Sequence, residues 1–259
     1  MAFKLFKKMP DGELKLTSFD DLENKAFWCA HGEKQELAFV EVMKKIRKST
    51  PYVVSIHPEK VSDQFHPDLL VQKDGIPEAM IGEVKIKNSP LFFGEKKYGI
   101  PAQHALTMDL KDSFNYLNWL SKGVDITIFI WVCWEAHCMK TEFNGNTKSY
   151  EVLPMKGVWL TKFSVLRKFE EETPPPIHWY NEPFRHPPIY SSGQEIEWCR
   201  RLIQFDCRLE VNGYTKNITS RGYMKTESGV MFPAGHSSAS YVFDLNNESV
   251  FQRLVYKLG

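Results

Sequence analysis

The segment DITIFIWVCW at 125–134 constrains the fold of this chain more than any other stretch. After its first residue it is a continuous run of apolar and β-branched residues, which is typical of a strand buried on both faces. Such a strand lies in a sheet whose two faces are each covered by another layer. The segment therefore predicts a sheet flanked by helices.

The sequence before this run alternates between helical and extended patterns. Apolar residues recur at helical spacing over 32–48, and Pro51 ends that segment. Asp74-Gly75 predicts a hairpin turn between two strands. Three strand-like runs lie at 52–57, 65–72 and 79–87. A second amphipathic segment covers 102–121, in which Leu106, Leu110, Phe114 and Leu117 share a face. The predicted order is helix, three strands, helix, strand, so the fold class is α/β with a mixed sheet.

A proline-rich stretch marks the predicted domain boundary. Residues 174–188 hold six of the 15 prolines, each of which lacks an amide donor, so the stretch is neither a helix nor a central strand. We predict a core with an N-terminal extension at 1–172 and a connector at 173–190. A smaller β-rich C-terminal part at 191–259 is a candidate for DNA contact.

Composition excludes several classes of protein. The 33 Lys and Arg against 32 Asp and Glu leave a net charge of +1, so binding a polyanion would need a local basic strip. No stretch approaches the roughly 20 apolar residues of a membrane span, and the lysine-rich N-terminus lacks the apolar core of a signal peptide. Five cysteines, an odd number, fit a reducing compartment. We therefore expect a cytoplasmic protein without membrane association.

Candidate catalytic residues lie on the second and third predicted strands. Pro67-Asp68 is in the second strand, and Glu83-Val84-Lys85 is in the third. Because side chains alternate along a strand, Glu83 and Lys85 point to one side while Val84 packs on the other. The hairpin can bring Asp68 beside Glu83, so that two carboxylates and a lysine meet at one edge of the sheet. Such oxygen ligands suit Mg²⁺ or Mn²⁺, which keep open positions for water and phosphate.

This motif in this order of elements resembles the PD-(D/E)xK nuclease superfamily, which includes type II restriction endonucleases, Holliday-junction resolvases and phage recombination nucleases. The resemblance covers about residues 30–135 and implies a restriction-endonuclease-like core. It implies that Asp68, Glu83 and the Val84 carbonyl bind Mg²⁺, with Mn²⁺ able to substitute. Lys85 would then orient the attacking water and stabilise charge on the phosphate, while the ion acts as a Lewis acid. The implied activity is hydrolysis of DNA phosphodiester bonds, of restriction type, by a homodimer.

An acidic residue on the first helix extends the resemblance. Members often carry a Gly-x-x-x-Glu pattern there, and Gly32 to Glu36 has that spacing. Glu36 lies three residues before Phe39 on the buried face, where a carboxylate is costly unless it meets a cation. The resemblance assigns Glu36 to a water or a second metal ion. Glu33 and Glu41 compete for this role on the same helix.

A glutamine is the last predicted member of the site. Some members carry a Gln at the start of the second helix that touches the scissile region, and Gln103 stands in that place, three residues before Leu106. The Tyr that often follows four residues later is replaced by Thr107.

Basic residues after the motif and in the C-terminal part are the candidate DNA contacts. Lys96 and Lys97 lie in an aromatic-rich loop at 89–101, and Lys87 precedes it. A second stretch at 200–225 carries a local charge of +4, from six basic residues against two acidic ones, and includes Arg200 and Arg201. Each neutralised phosphate would add salt-dependent affinity. A dimer contact for the loop and a mixed charged sheet face for the second stretch are the alternatives.

Two further functions fit the same residues. One is a structure-specific or processing nuclease that acts on junctions, ends or RNA. The other is a catalytically silent scaffold that binds DNA or a protein partner. Taken singly, Asp68 fits an ordinary strand entry, and Glu83 with Lys85 fits a solvated ion pair. The presence of all three argues against the scaffold, because a decayed site would usually have lost one of them.

Overall fold

The computed structural model describes residues 3–8, 11–16, 25–63, 66–87, 90–134, 138–143, 145–151, 155–173, 175–179, 223–225, 231–233 and 239–255. The α-helices in these stretches are α1 (Lys25–Lys45), α2 (Gly94–Tyr98), α3 (Leu110–Ser121) and α4 (Phe163–Glu172). The strands are β1 (Phe3–Lys8), β2 (Leu14–Leu16), β3 (Tyr52–Ile56), β4 (Leu69–Lys73), β5 (Ile76–Lys87), β6 (Ala105–Asp109), β7 (Thr127–Trp134), β8 (Cys138–Phe143), β9 (Asn146–Glu151), β10 (Met155–Lys162), β11 (Ile177–Trp179), β12 (Tyr223–Lys225), β13 (Met231–Pro233), β14 (Ala239–Asp244) and β15 (Gln252–Val255). None of these helices has both the length and the apolar character needed to cross a membrane.

The largest sheet in the described stretches has six strands in the order β15-β10-β7-β5-β4-β3. β5 and β7 run parallel, and the other neighbouring pairs are antiparallel. The sheet is therefore mixed and the fold α/β, as predicted. β7 is its doubly buried strand, since Ile128, Phe129 and Ile130 are all fully buried.

Helices cover the two faces of this sheet. On one face α1 packs Phe39 and Met43 into the cluster that contains Phe129. On the opposite face Phe163 and Leu166 of α4 join the cluster that contains Ile128 and Ile130, the β7 neighbours of Phe129. Each such apolar side chain contributes roughly 2 kcal/mol when buried, so both faces hold the sheet in place.

The hairpin between β4 and β5 forms where its turn residues predicted it. Lys73 pairs with Ile76, which leaves Asp74 and Gly75 as a two-residue turn. Gly75 adopts a φ of +78°, a conformation that glycine reaches without steric cost. The register shifts between Lys73 and Val71, and beyond this irregularity Val71 pairs with Met80 and Leu69 with Gly82, which positions the residues at the far end of the hairpin.

The helix predicted over 102–121 is wrong in its first half. Residues 105–109 form β6, and α3 begins only at Leu110. Leu106 pairs with Phe243 of β14, so it does not share a helical face with Leu110. The physical reason is tertiary: β14 provides a hydrogen-bonding partner far along the chain, and pairing with it outweighs the local helical spacing.

Strands from the C-terminal part complete sheets that contain core strands. β14 lies between β11 and β6, and β15 pairs with β10 at the edge of the six-stranded sheet. Within the proline-rich stretch, Ile177–Trp179 forms β11, an edge strand of its sheet, which agrees with the exclusion of helix and central strand there. The boundaries drawn at 172 and 190 stay a prediction.

Candidate active site

The β4–β5 hairpin places Asp68 beside Glu83. Leu69 pairs with Gly82, so the residue that precedes β4 lies next to the residue that follows Gly82. The backbone N–H of Asp68 donates to Oε2 of Glu83 at 3.2 Å, and the N–H of Val84 donates to Oδ2 of Asp68 at 3.3 Å. Asp68 is only 6% exposed. Its carboxylate is therefore fixed to the start of the Glu83-Val84-Lys85 segment.

Gly82 permits the close approach of strands at this point. A Cβ on Gly82 would lie 2.5 Å from Cγ2 of Val71 and 3.1 Å from the carbonyl oxygen of Thr127. The first distance is shorter than real Cβ contacts allow, and Val71 is fully buried, so it has little room to move. Only glycine therefore keeps β4, β5 and β7 at the spacing that brings Asp68 to Glu83.

Lys85 is held by two carboxylates on the face of the sheet that α3 covers. Its Nζ lies 3.0 Å from Oε1 of Glu83 and 2.7 Å from Oδ2 of Asp112, in the first turn of α3. Burial acts to lower the pKa of Lys85, but Asp112, Tyr116 and Glu83 outweigh it and raise the pKa well above its ordinary value. Lys85 is consequently a fixed ammonium at neutral pH.

Tyr116, one turn after Asp112 on α3, adds a buried hydroxyl to this region. Nζ of Lys85 lies 5.6 Å from the centre of its ring. The side chain is 4% exposed, and its hydroxyl has no hydrogen-bond partner in the described part of the chain. Burial raises the pKa of Tyr116 well above its ordinary value, and Glu83 raises it further, so the hydroxyl stays protonated.

Glu36 of α1 reaches the same region through a second lysine. Nζ of Lys60 contacts Oδ1 of Asp68 and lies 3.0 Å from Oε1 of Glu36. Glu36 thus meets the cation that a carboxylate on this face of α1 requires. Glu33 and Glu41, the competing residues on α1, are exposed to solvent.

The site carries more acidic than basic groups. Two ammonium groups (Lys60 and Lys85) lie among four carboxylates (Glu36, Asp68, Glu83 and Asp112), which leaves a formal charge of −2. These side chains are between 9% and 22% exposed, so solvent screens the excess charge poorly. An excess of two negative charges on oxygen donors, beside an unpartnered hydroxyl, fits one Mg²⁺ or Mn²⁺ ion.

The one close group of possible metal ligands found among the described residues is a different set, next to this cluster. Ligand atoms of His57, Glu59 and His66 all lie within 4.8 Å of one another. The two imidazole rings stack, however, with centroids 4.0 Å apart and planes at 28°. Their in-plane lone pairs are nearly parallel and cannot converge on one ion unless a ring rotates. His66, whose Nδ1 lies 2.9 Å from the Pro67 carbonyl, acts here as a packed residue.

Not all the predicted site residues join this cluster. Gln103 lies in a turn before β6 rather than at the start of a helix, because α3 begins seven residues later, at Leu110. The backbone of Val84 lies within the site through its bond to Asp68, while its side chain packs into the core on the α1 face.

The predicted DNA-contacting lysines divide into exposed and buried ones. Lys96 and Lys97 on α2 are exposed. Lys87 is 8% exposed and donates to the carbonyl of Ala105 at 2.7 Å, and burial lowers its pKa to about 7. Lys87 is therefore buried on β5, unlike Lys96 and Lys97, and DNA contact by these three lysines stays a prediction. Arg200 and Arg201 lie outside the described residues.

Lys60, Asp112 and Tyr116 are site residues that sequence reasoning missed. Lys60 lies on the short 3₁₀ helix Pro58–Val61, between two strands, where no periodicity singles out one lysine. Asp112 and Tyr116 are four residues apart and so share a helix face, a signal that was available.

No family model, curated protein or solved structure matches the chain. The fold and the site therefore define a broad class: an α/β protein with a mixed sheet and a cluster of carboxylates and lysines at one hairpin.

Proposed function

We propose that the protein is a Mg²⁺-dependent nuclease that hydrolyses DNA phosphodiester bonds on a restriction-endonuclease-like core. The observation that carries this proposal is that Asp68, just before β4, is hydrogen-bonded to the Glu83-Val84 segment in the second half of β5, where Glu83 also contacts Lys85. The order of α1, β3, β4, β5, α3 and β7 supports it, with α2 and β6 inserted between β5 and α3 and with β5 and β7 parallel. So does Glu36, which joins the cluster from α1.

The residues that would hold the ion are Asp68 and Glu83, with the Val84 carbonyl as a further oxygen donor, and the resemblance leaves Glu36 for a water molecule or a second metal ion. All are hard ligands of the kind that Mg²⁺ prefers, and Mn²⁺ would substitute. When bound, the ion would supply Lewis acidity at the phosphate and lower the pKa of a water molecule. The hairpin contributes position, because Asp68 and Glu83 are tied to each other's backbone.

Lys85 would orient the attacking water and stabilise negative charge that develops on the phosphate. Its raised pKa keeps it protonated, so it acts as a hydrogen-bond donor rather than as a base. Asp112 and Glu83 hold the ammonium from two sides, which fixes its position before substrate arrives.

A cavity beside Lys85 gives an anionic substrate room next to the cluster. It has a volume of about 230 Å³ and is lined by Lys85, Lys87, Leu106 and Thr107 among others, with no carboxylate in the lining. Lys96 and Lys97 on α2 remain the candidate contacts to DNA phosphates farther along the strand.

The test is cleavage of supercoiled plasmid and of a branched oligonucleotide, each with Mg²⁺, Mn²⁺ or EDTA. Wild type should cut only with a divalent ion, and Glu83→Ala should not cut. Glu78→Ala is the matched control, because Glu78 is exposed on the same strand and should leave cutting unchanged. Binding of DNA by wild type without cutting of any substrate would favour the silent scaffold instead.

A structure-specific nuclease is the second candidate, and the surface of α2 favours it. Phe93 is 40% exposed, and Nζ of Lys97 lies 5.8 Å from its ring centre and 5.5 Å from that of Tyr98. An aromatic face beside a cation is a surface on which unpaired bases stack. Faster cutting of the branched substrate than of plasmid, lost in Phe93→Ala, would support this candidate. Discrete plasmid fragments from a homodimer would support the restriction type.

A further inference from the structure

Lys60 places a positive charge inside the carboxylate cluster, and the proposed reaction as described above gives it no role. Its Nζ contacts Asp68 and lies 3.0 Å from Oε1 of Glu36, and both of these are candidate metal ligands. The side chain of Lys60 is 20% exposed, so the ammonium also borders solvent. Lys60 therefore stands between two acidic residues that could otherwise share a metal ion.

The backbone around Lys60 is tied to the site. Lys60 lies on the 3₁₀ helix Pro58–Val61, which is capped by His57 through the Glu59 N–H bond to Nδ1 at 3.2 Å. The N–H of His57 itself donates to the carbonyl of Asp68 at 2.8 Å. The segment that carries Lys60 is thus bonded through His57 to the backbone of Asp68. The contact between Lys60 and Asp68 is therefore built into the fold and is not an incidental surface pair.

We propose that Lys60 occupies the position of a second cation, so that the site takes one divalent ion, next to Glu83, and the Lys60 ammonium supplies the other positive charge to the phosphate. The inference rests on the proposed nuclease function and names the number of metal ions that this site uses. Under this proposal Glu36 forms an ion pair with Lys60 and does not bind a second metal ion.

Charge balance supports one ion rather than two. Four carboxylates against Lys60, Lys85 and one divalent ion sum to zero, whereas a second divalent ion would leave +2. The groups are largely shielded from solvent, so an unbalanced charge of that size would be costly. With Lys60 removed and one ion bound, the cluster would carry a charge of −1, and Glu36 and Asp68 would both lack the cation that they now share.

The buried hydroxyl of Tyr116 lies on the Lys85 side of the cluster. It is buried, and its charge interactions are with Glu83, Lys85 and Asp112. A buried hydroxyl without a partner is unfavourable, so an oxygen of a bound ligand there would satisfy it. Among the described residues on the Lys60 side, no buried side-chain polar atom lacks a hydrogen-bond partner, because the Lys60 ammonium bridges the carboxylates of Glu36 and Asp68.

The test is to count bound Mn²⁺ on the intact chain by electron paramagnetic resonance of the free ion. Wild type should bind about one Mn²⁺, and Lys60→Met should bind about two, because Glu36 and Asp68 become available together. Lys60→Arg keeps the charge and should bind about one. Lys44→Met is the matched control: Lys44 also pairs with a carboxylate of α1, but at an exposed site, and its loss should leave the count at about one.

Glu36→Gln keeps the inference testable if Lys60→Met does not fold. This variant should still bind about one Mn²⁺, because the ion does not use Glu36. Two ions on wild type, a count that falls when Glu36 is replaced, or a folded Lys60→Met that still binds one would each overturn the inference. One ion on wild type and two on Lys60→Met, with no cutting of DNA, would uphold the metal count and refute the nuclease proposal.

Discussion

The backbone N–H of Val84 donates to Oδ2 of Asp68 across 3.3 Å, so the first acidic residue of the site is bonded to the middle of the Glu83-Val84-Lys85 segment. The reverse bond, from the N–H of Asp68 to Glu83, closes a second link at 3.2 Å. Both links depend on the register of β4 against β5. The geometry of the site is therefore a property of the hairpin, and changes in the hairpin should act on the chemistry.

Asp68→Asn separates the charge of Asp68 from its structural role. The amide oxygen can still accept from Val84, but the NH2 group then faces Lys60 and the ion pair is lost, so the free energy of unfolding should fall by about 1–3 kcal/mol. The charge that would bind the metal is lost, so Mg²⁺-dependent cleavage should fall at least about 100-fold. Plasmid cleavage and urea unfolding measure the two effects. Asp74→Asn, at the exposed turn of the same hairpin, should change neither. Full activity of Asp68→Asn would show that the site is misassigned.

Asp112→Asn tests whether the carboxylate that holds Lys85 matters for catalysis. Asn keeps an oxygen 2.7 Å from Nζ of Lys85 but not the charge that raises its pKa. The ammonium should then be held less firmly, and kcat should fall about tenfold while KM for DNA changes less than about twofold. Steady-state kinetics measure this. Asn118→Asp, an exposed change on the same helix, controls for altered charge on α3. A kcat equal to that of wild type would mean that Lys85 does not need this partner.

Local patterns predicted the hairpin and the juxtaposition that depends on it. Asp74-Gly75 sets a two-residue turn and the pairing of Lys73 with Ile76, but the register shifts between Lys73 and Val71, and nothing in the turn sequence predicts that shift. The proximity of Asp68 and Glu83 depends on this shifted register, in which Leu69 pairs with Gly82. The apolar run at 125–134 likewise marked β7 without knowledge of its neighbours.

Contacts between distant parts of the chain were not predictable in this way. Asp109 of β6 accepts a hydrogen bond from Ser240 of β14, 131 positions away, and nothing near Asp109 indicates that partner. The missed strand β6 shifted the predicted start of α3. Gln103 was therefore credited with a position at the start of a helix that it does not have.

Gly82→Ala should damage both fold and activity. The new methyl group would lie 2.5 Å from Cγ2 of the fully buried Val71, so β4 must shift relative to β5. Overpacking of this kind costs about 1–3 kcal/mol, which urea unfolding would measure. Cleavage under conditions where the variant is folded should also fall, because the shift separates Asp68 from Glu83. An unchanged free energy of unfolding would show that the strands can relax around the methyl group. Glu78→Ala is the control, because Glu78 is exposed on β5.

The buried carboxyl group of Glu170 should make the free energy of unfolding depend on pH. This carboxylate is 1% exposed between α3 and α4, where it accepts from Ser113 at 2.9 Å and from Arg167 at 3.2 Å. Burial raises its pKa from 4.5 to about 7, although both partners act to lower it. A raised pKa means that the folded chain holds the proton more tightly than the unfolded chain. This contribution is therefore complete below about pH 4.5 and is lost as the pH rises towards 7.

Glu170→Gln should remove this dependence. The difference in unfolding free energy between variant and wild type should move in favour of the variant from pH 4.5 to pH 7, by at most about 3 kcal/mol, because Gln carries no charge to bury. Urea unfolding at intervals of half a pH unit measures the difference. Glu172→Gln, exposed near the end of the same helix, should track wild type throughout. A difference that moved the other way would mean that Ser113 and Arg167 stabilise the ionised carboxylate more than burial disfavours it.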